Sequence, residues 1–231
     1  ALTVGWRAAY FVAAFAALAA MLLIPPDQFR SAGRTESPVP AKLVRPLWLL
    51  AIGMAGAVFA ATSIGALGAA GGVHVGLSEA SAGYLVAVGG IAGLAIRLAS
   101  GVVADRVAFD SLRAVALLVL IGGFGWLAMS WDRPVPFAIG LVVANASGWG
   151  WPGLQHLSMA RRFPTATAAA SGVSQTGVAA GLLLGPAVLG LLVSTAGWSW
   201  SWLAAAAAAF VGSAVVWIAA RRIPQNQAEP G

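Results

Sequence analysis

The chain has 231 residues, of which 60% are hydrophobic and only 9% charged, against about 25% charged in ordinary soluble domains. That balance excludes a soluble globular protein. The lack of any cysteine excludes disulfides, thiolate metal sites and cysteine nucleophiles together.

A helix needs about 20 apolar residues to cross a bilayer, and seven stretches qualify: 5–24, 46–70, 80–103, 113–131, 135–157, 165–194 and 197–220. Pro25-Pro26 stops the first, Pro46 suits the first turn of the second, and Ser78 can cap the third ahead of Glu79. Pro152 is placed to kink the fifth, Pro164-Thr165 opens the sixth, and Gly197 opens the seventh. Stretches such as AAYFVAAFAALAAMLL are apolar on every face, whereas strands of a membrane barrel would alternate. The expected fold is therefore all-α, a polytopic membrane bundle of seven helices. Residues 1–24 form a first helix, 25–45 a polar linker, 46–221 a six-helix bundle and 222–231 a tail. Ala1 stands at the mouth of a span without an initiator methionine, which reads as a fragment or a processed start.

An odd number of spans divides the loops into two sets. Arg30, Arg34, Lys42, Arg45, Arg106, Arg113, Arg161, Arg162, Arg221 and Arg222 fall in one, and only Arg7 and Arg133 in the other. The positive-inside rule then places the N-terminus outside and the C-terminus in the cytoplasm of a multi-pass cell-membrane protein. The pI of 11.3 reports this asymmetry rather than a nucleic-acid partner. Trp6, Trp131, Trp198, Trp200 and Trp202 at the outer boundary, with Trp48 and Trp217 at the inner one, read as an aromatic belt.

Gly5-Trp6 opens the first span and Gly197-Trp198 the last, 192 residues on, the offset of a repeat six spans long. The third span enters on Leu77-Ser78-Glu79-Ala80-Ser81-Ala82-Gly83 and ends in Gly101-Val102-Val103-Ala104-Asp105-Arg106. The sixth carries Gly177, Gly181, Gly185-Pro186 and Gly190. These features resemble the major facilitator superfamily of transporters, with its LSxAxAG-like entry, its GxxxDR exit and a glycine-rich helix with a Gly-Pro step. The resemblance covers essentially the whole chain as helices six to twelve of that family, the linker being the central loop. After Arg106 the family pattern continues with a glycine and basic residues, where this chain has Ala108, Phe109 and Asp110.

The resemblance implies a secondary transporter of a small solute that works by alternating access and needs helices one to five of the other half. It implies a gating role for Gly101, Asp105 and Arg106. A carboxylate at a positive helix end gains about 0.3–2 kcal/mol, a latch that breaks when the halves rock. It also implies that helices seven, eight, ten and eleven line a central cavity, which brings in Asn145 and Trp149 of the fifth span and Gln175 of the sixth.

Arg97 is the one ionisable residue well inside a span, and such residues mark function because burying a charge is costly. It favours an anionic solute, although a snorkelling or paired arginine is the plainer alternative. Asn145 and Gln175 equally suit interhelical hydrogen bonds, and the glycines at 177, 181 and 185 suit close helix packing. Thr62, Ser63 and Tyr84 read as packing residues. His74 and His156 fall at opposite faces and read as loop residues that cannot share a metal. All seven carboxylates, Asp27, Glu36, Glu79, Asp105, Asp110, Asp132 and Glu229, map to loops or span ends, so this stretch holds no carboxylate proton relay.

Neither a cofactor nor an enzymatic activity is expected. A retinal pigment needs a lysine in its last helix, and Lys42 is the only lysine. No serine–histidine or paired-histidine pattern points to intramembrane hydrolysis. A half-size transporter acting as a homodimer, or a seven-helix membrane protein that does not transport, is the remaining alternative. The expected partners are a small, anionic solute, the lipid bilayer and the other half of the transporter.

Overall fold

In the computed structural model the described residues are 37–225, together with Phe11, Phe15, Leu18 and Ala19, which are helical. The first expected span otherwise lies outside the described residues, as do linker positions 25–36 and the tail beyond 225.

Residues 37–225 contain seven helices: α1 (Ala41–His74), α2 (Glu79–Arg106), α3 (Ser111–Met129), α4 (Pro134–Gly148), α5 (Pro152–Arg162), α6 (Thr167–Ala196) and α7 (Trp198–Arg222). Five of them, α1, α2, α3, α6 and α7, are long and apolar enough to cross a membrane. The expectation of one span over 135–157 is corrected, because that stretch is two helices separated at Trp149–Trp151. Pro152 has no N–H to offer the Gly148 carbonyl and is well suited to a first helical turn, so the chain stops and restarts there.

The other ends have local causes. Ser78 caps α2, its hydroxyl accepting from the Ser81 N–H at 3.1 Å. Asp110 caps α3, one carboxylate oxygen accepting from the N–H groups of Leu112 and Arg113 at 3.1 and 3.2 Å. Pro134 stands in the first turn of α4, directly after Arg133. Gly197 alone joins α6 to α7 at φ 95°, a backbone conformation that suits glycine. Two expected starts shift: α1 begins at Ala41, so Pro46 lies inside it, and α6 begins at Thr167 rather than at Pro164-Thr165.

α1 packs on α6 and α7, and the α4–α5 pair packs on α2 and α3; α3 and α7 pack on each other. Exchanging the unit α1, α2, α3 for the unit α4–α5, α6, α7 reproduces these pairings. The exchange also carries the α1–α2 contact onto α5–α6 and the α1–α4 contact onto itself. The exception is the contact between α6 and α7, which has no comparable counterpart between α2 and α3. The first unit holds three of the five membrane-length helices and the second holds two, with the broken α4–α5 stretch in the remaining place.

Glycine makes the matching seams close. A Cβ at Gly181 would sit 2.6 Å from the Ala55 carbonyl oxygen, and Gly177 and Gly185 lie equally tight against Ala51, Phe59 and Thr62 of α1. In the matching seam, Gly89 and Gly93 of α2 face Asn145 and Ala146 of α4. Between hydrocarbon chains, backbone proximity of this kind stands in for the missing hydrophobic drive. The core under the seams holds Leu50, Met54, Ile64, Val119, Trp126, Phe137, Leu141 and Trp202. Trp202 is thus a core residue, in edge contact with Phe137 and stacked on Trp198, while Trp131 and Trp200 are exposed as a belt requires.

Candidate functional site

Lys42, Arg45, Arg106, Arg113, Arg161, Arg162, Arg221 and Arg222 stand at or near helix ends that meet at one end of the bundle. Arg133 is the one arginine or lysine at the far end among the described residues.

The break between α4 and α5 gathers polar contacts from three helices. With no helical donor following it, the Trp149 carbonyl faces α2, and the Arg97 Nε donates to it at 2.6 Å. Arg97 is otherwise exposed, and this is its one hydrogen bond among the described residues. The guanidinium is thus fixed at one edge, with its two terminal nitrogens left available. Asn145, 7% exposed, donates its Nδ2 to the Val86 carbonyl at 3.0 Å, which the missing side chain of Gly89 makes possible. Trp149 donates its indole N–H to the Ala61 carbonyl of α1 at 3.2 Å. Three of the four expected solute residues therefore converge on this break. Gln175 is half-buried on α6, and among the described residues no hydrogen bond joins it to them. Its neighbour Ser174 is the buried one and accepts from the Gln155 Nε2.

Sequence reasoning missed Gln155. It is fully buried on α5, and its Oε1, like the Trp151 Nε1 one turn before, has no hydrogen-bond partner among the described residues. A glutamine in an apolar stretch three residues after a proline was the available signal.

At the cation-rich end the expected gating residues Gly101, Asp105 and Arg106 are all exposed, and a Cβ at Gly101 would meet nothing within 4 Å. The built polar contact there is a different one. Arg162, 5% exposed, donates to an Asp110 carboxylate oxygen at 2.5 Å and to Ser158 Oγ at 3.1 Å. It also donates to the Ala220 and Ile223 carbonyls that end α7. Asp110 carries a second ion pair, to Arg113 at 3.2 Å, and Arg113 lies over the Trp217 ring. One buried guanidinium thus ties the start of α3, the end of α5 and the end of α7. Asp110 followed by an apolar run was legible as a cap; nothing distinguished Arg162 from its exposed neighbour Arg161.

At the far end His74 pairs with Asp132 at 3.1 Å and stacks on Trp198 with ring centroids 5.4 Å apart. Neither histidine is a loop residue: His74 ends α1 and His156 lies exposed on α5. Ser63 is buried, accepting the Trp126 indole N–H at 3.0 Å, and Thr62 bonds back to the Phe59 carbonyl. Tyr84 is exposed. Among the described residues no group of three or more His, Cys, Asp or Glu could hold a metal.

Comparison with known proteins adds no assignment: no family model matches the chain, and no curated protein matches it.

Proposed function

We propose that the chain forms the second half of a secondary transporter built like the major facilitator superfamily, moving a small anionic solute by alternating access. The observation that carries this reading is the exchange of helix pairings between α1, α2, α3 and α4–α5, α6, α7. Two three-pass units of opposite direction nested in one six-pass half are the construction of that transporter class. The least covered spans support it further. Of the most apolar 18 residues of α2 and α6, 11% and 22% are buried, against 67% for α1. These two helices occupy matching places in the two units, and a second half would cover both.

In this reading the solute site lies at the helix break. Broken helices present unpaired backbone groups to solutes at membrane depth, and Arg97 adds a fixed positive fork suited to a carboxylate or phosphate. Asn145 and Trp149 already commit their donors to backbone carbonyls and serve chiefly to hold the break in place. Gln175 and Gln155 line the adjoining α6 side. Gly101, Asp105 and Arg106 form the gating segment, with Asp105 latching onto a helix N-terminus of the other half. The cation-rich end faces the cytoplasm.

Uptake of a panel of organic anions by the intact transporter in proteoliposomes, with a cationic solute as control, tests the reading. Arg97→Ala is expected to abolish uptake of the transported anion, and Arg97→Lys to retain part of it. Unchanged anion uptake in Arg97→Ala would overturn the solute site. No uptake of any anion or cation by the unmutated protein would overturn the transporter.

A further inference from the structure

The place where the pairing exchange fails is also where the surface opens. α2 stands away from α3, leaving an apolar groove of about 340 Å³ lined by Ile96, Ala99 and Val103 of α2, Leu117 and Leu118 of α3, and Leu154 of α5. From Val103 to Ile96 the groove runs two helical turns, about 10 Å, into the apolar part of the bundle. Phe109 lines both this groove and a wider cavity of about 1160 Å³ at the cation-rich end, so the two adjoin.

The rim of that wider cavity carries Asp105, Arg106, Asp110, Arg161 and Arg162. Asp110 is already matched by Arg162 and Arg113. That leaves Arg106 and Arg161, both exposed, against Asp105. Arg161 is held in place by a 3.0 Å bond to the Ala104 carbonyl at the groove mouth. A cationic mouth above a narrow apolar slot, at the depth where a membrane's phosphates meet its acyl chains, fits an amphiphile with one phosphate and a hydrocarbon tail.

We propose that the groove between α2 and α3 is a binding site for an anionic phospholipid, its phosphate at Arg106 and Arg161 and one acyl chain between Ile96, Val103 and Leu117. Basic pockets between membrane helices bind such headgroups. The site depends only on the bundle's lying in a membrane and not on transport.

Native mass spectrometry of the full chain, delipidated and then supplied with phosphatidylglycerol or phosphatidylcholine of the same acyl chains, tests it. One phosphatidylglycerol is expected to be retained in preference to phosphatidylcholine. Arg106→Gln is expected to lower its occupancy about fivefold. Ala99→Trp, an exposed position whose enlarged side chain fills the slot, is expected to remove the bound lipid while the thermal unfolding of the protein stays unchanged. Equal retention of the two lipids would overturn the proposal. So would undiminished phosphatidylglycerol in both variants, which would mean that the groove belongs to another helix. Glycerol phosphate binding as tightly as phosphatidylglycerol would overturn the assignment of the acyl chain.

Discussion

Arg162 shows how much one residue can organise. Its guanidinium joins three helix ends through Asp110, Ser158 and the last carbonyls of α7. Removing one partner of a buried pair leaves the other unmatched, at about 3–5 kcal/mol. Arg162→Ala is therefore expected to lower unfolding stability in detergent by about that much, as measured by thermal unfolding, whereas the same change at exposed Arg221 should be nearly silent. Ser63→Ala is a milder case: the Trp126 indole N–H would lose its buried acceptor, costing about 1–3 kcal/mol. The sequence marked Arg97 as the unusual charge, because a lone arginine in an apolar stretch is visible by contrast. It could not mark Arg162, because burial at a helix end depends on which other ends arrive there.

At the scale of helices, the spacing of glycines was legible and their partners were not. Gly177, Gly181 and Gly185 form the expected packing stripe, and the structure supplies α1 as the helix they meet. Gly89 and Gly93 carry the same spacing on α2. Gly181→Leu is expected to separate α6 from α1 and to abolish the folded monomer in detergent size-exclusion chromatography. Gly101→Leu, at a position with open space, should leave the elution unchanged, so a loss of uptake without a change in elution would support the proposed gating role. The fifth span was misread as continuous because its hydropathy is continuous. What divides it is the single missing N–H of Pro152, a backbone effect that apolar periodicity does not register. Yet that division is what exposes the Trp149 carbonyl to Arg97.

For the whole molecule, composition was enough to read a helical bundle with membrane-length helices, and loop charge was enough to foresee one cationic end. The exchange of pairings between the two units was out of reach, since it resides in contacts between distant segments. The absence of cysteine makes orientation directly measurable. Single substitutions Gln225→Cys and Ala196→Cys, at exposed positions on opposite ends, are expected to react with a membrane-impermeant maleimide from opposite sides of sealed vesicles. If the cation-rich end faces the cytoplasm, Gln225→Cys labels only in inverted vesicles.

The turn between α3 and α4 has a further consequence, for proteases. Trypsin cleaves after arginine and lysine but not where proline follows, and at the far end Arg133, the one such residue among those described, is followed by Pro134. Among the described residues that face is therefore closed to the enzyme, while the opposite face offers seven arginines and lysines that no proline follows, Arg45 being shielded by Pro46. Digestion of sealed vesicles should be all or nothing: residues 37–225 stay intact when trypsin meets the far end, and fragment when it meets the other.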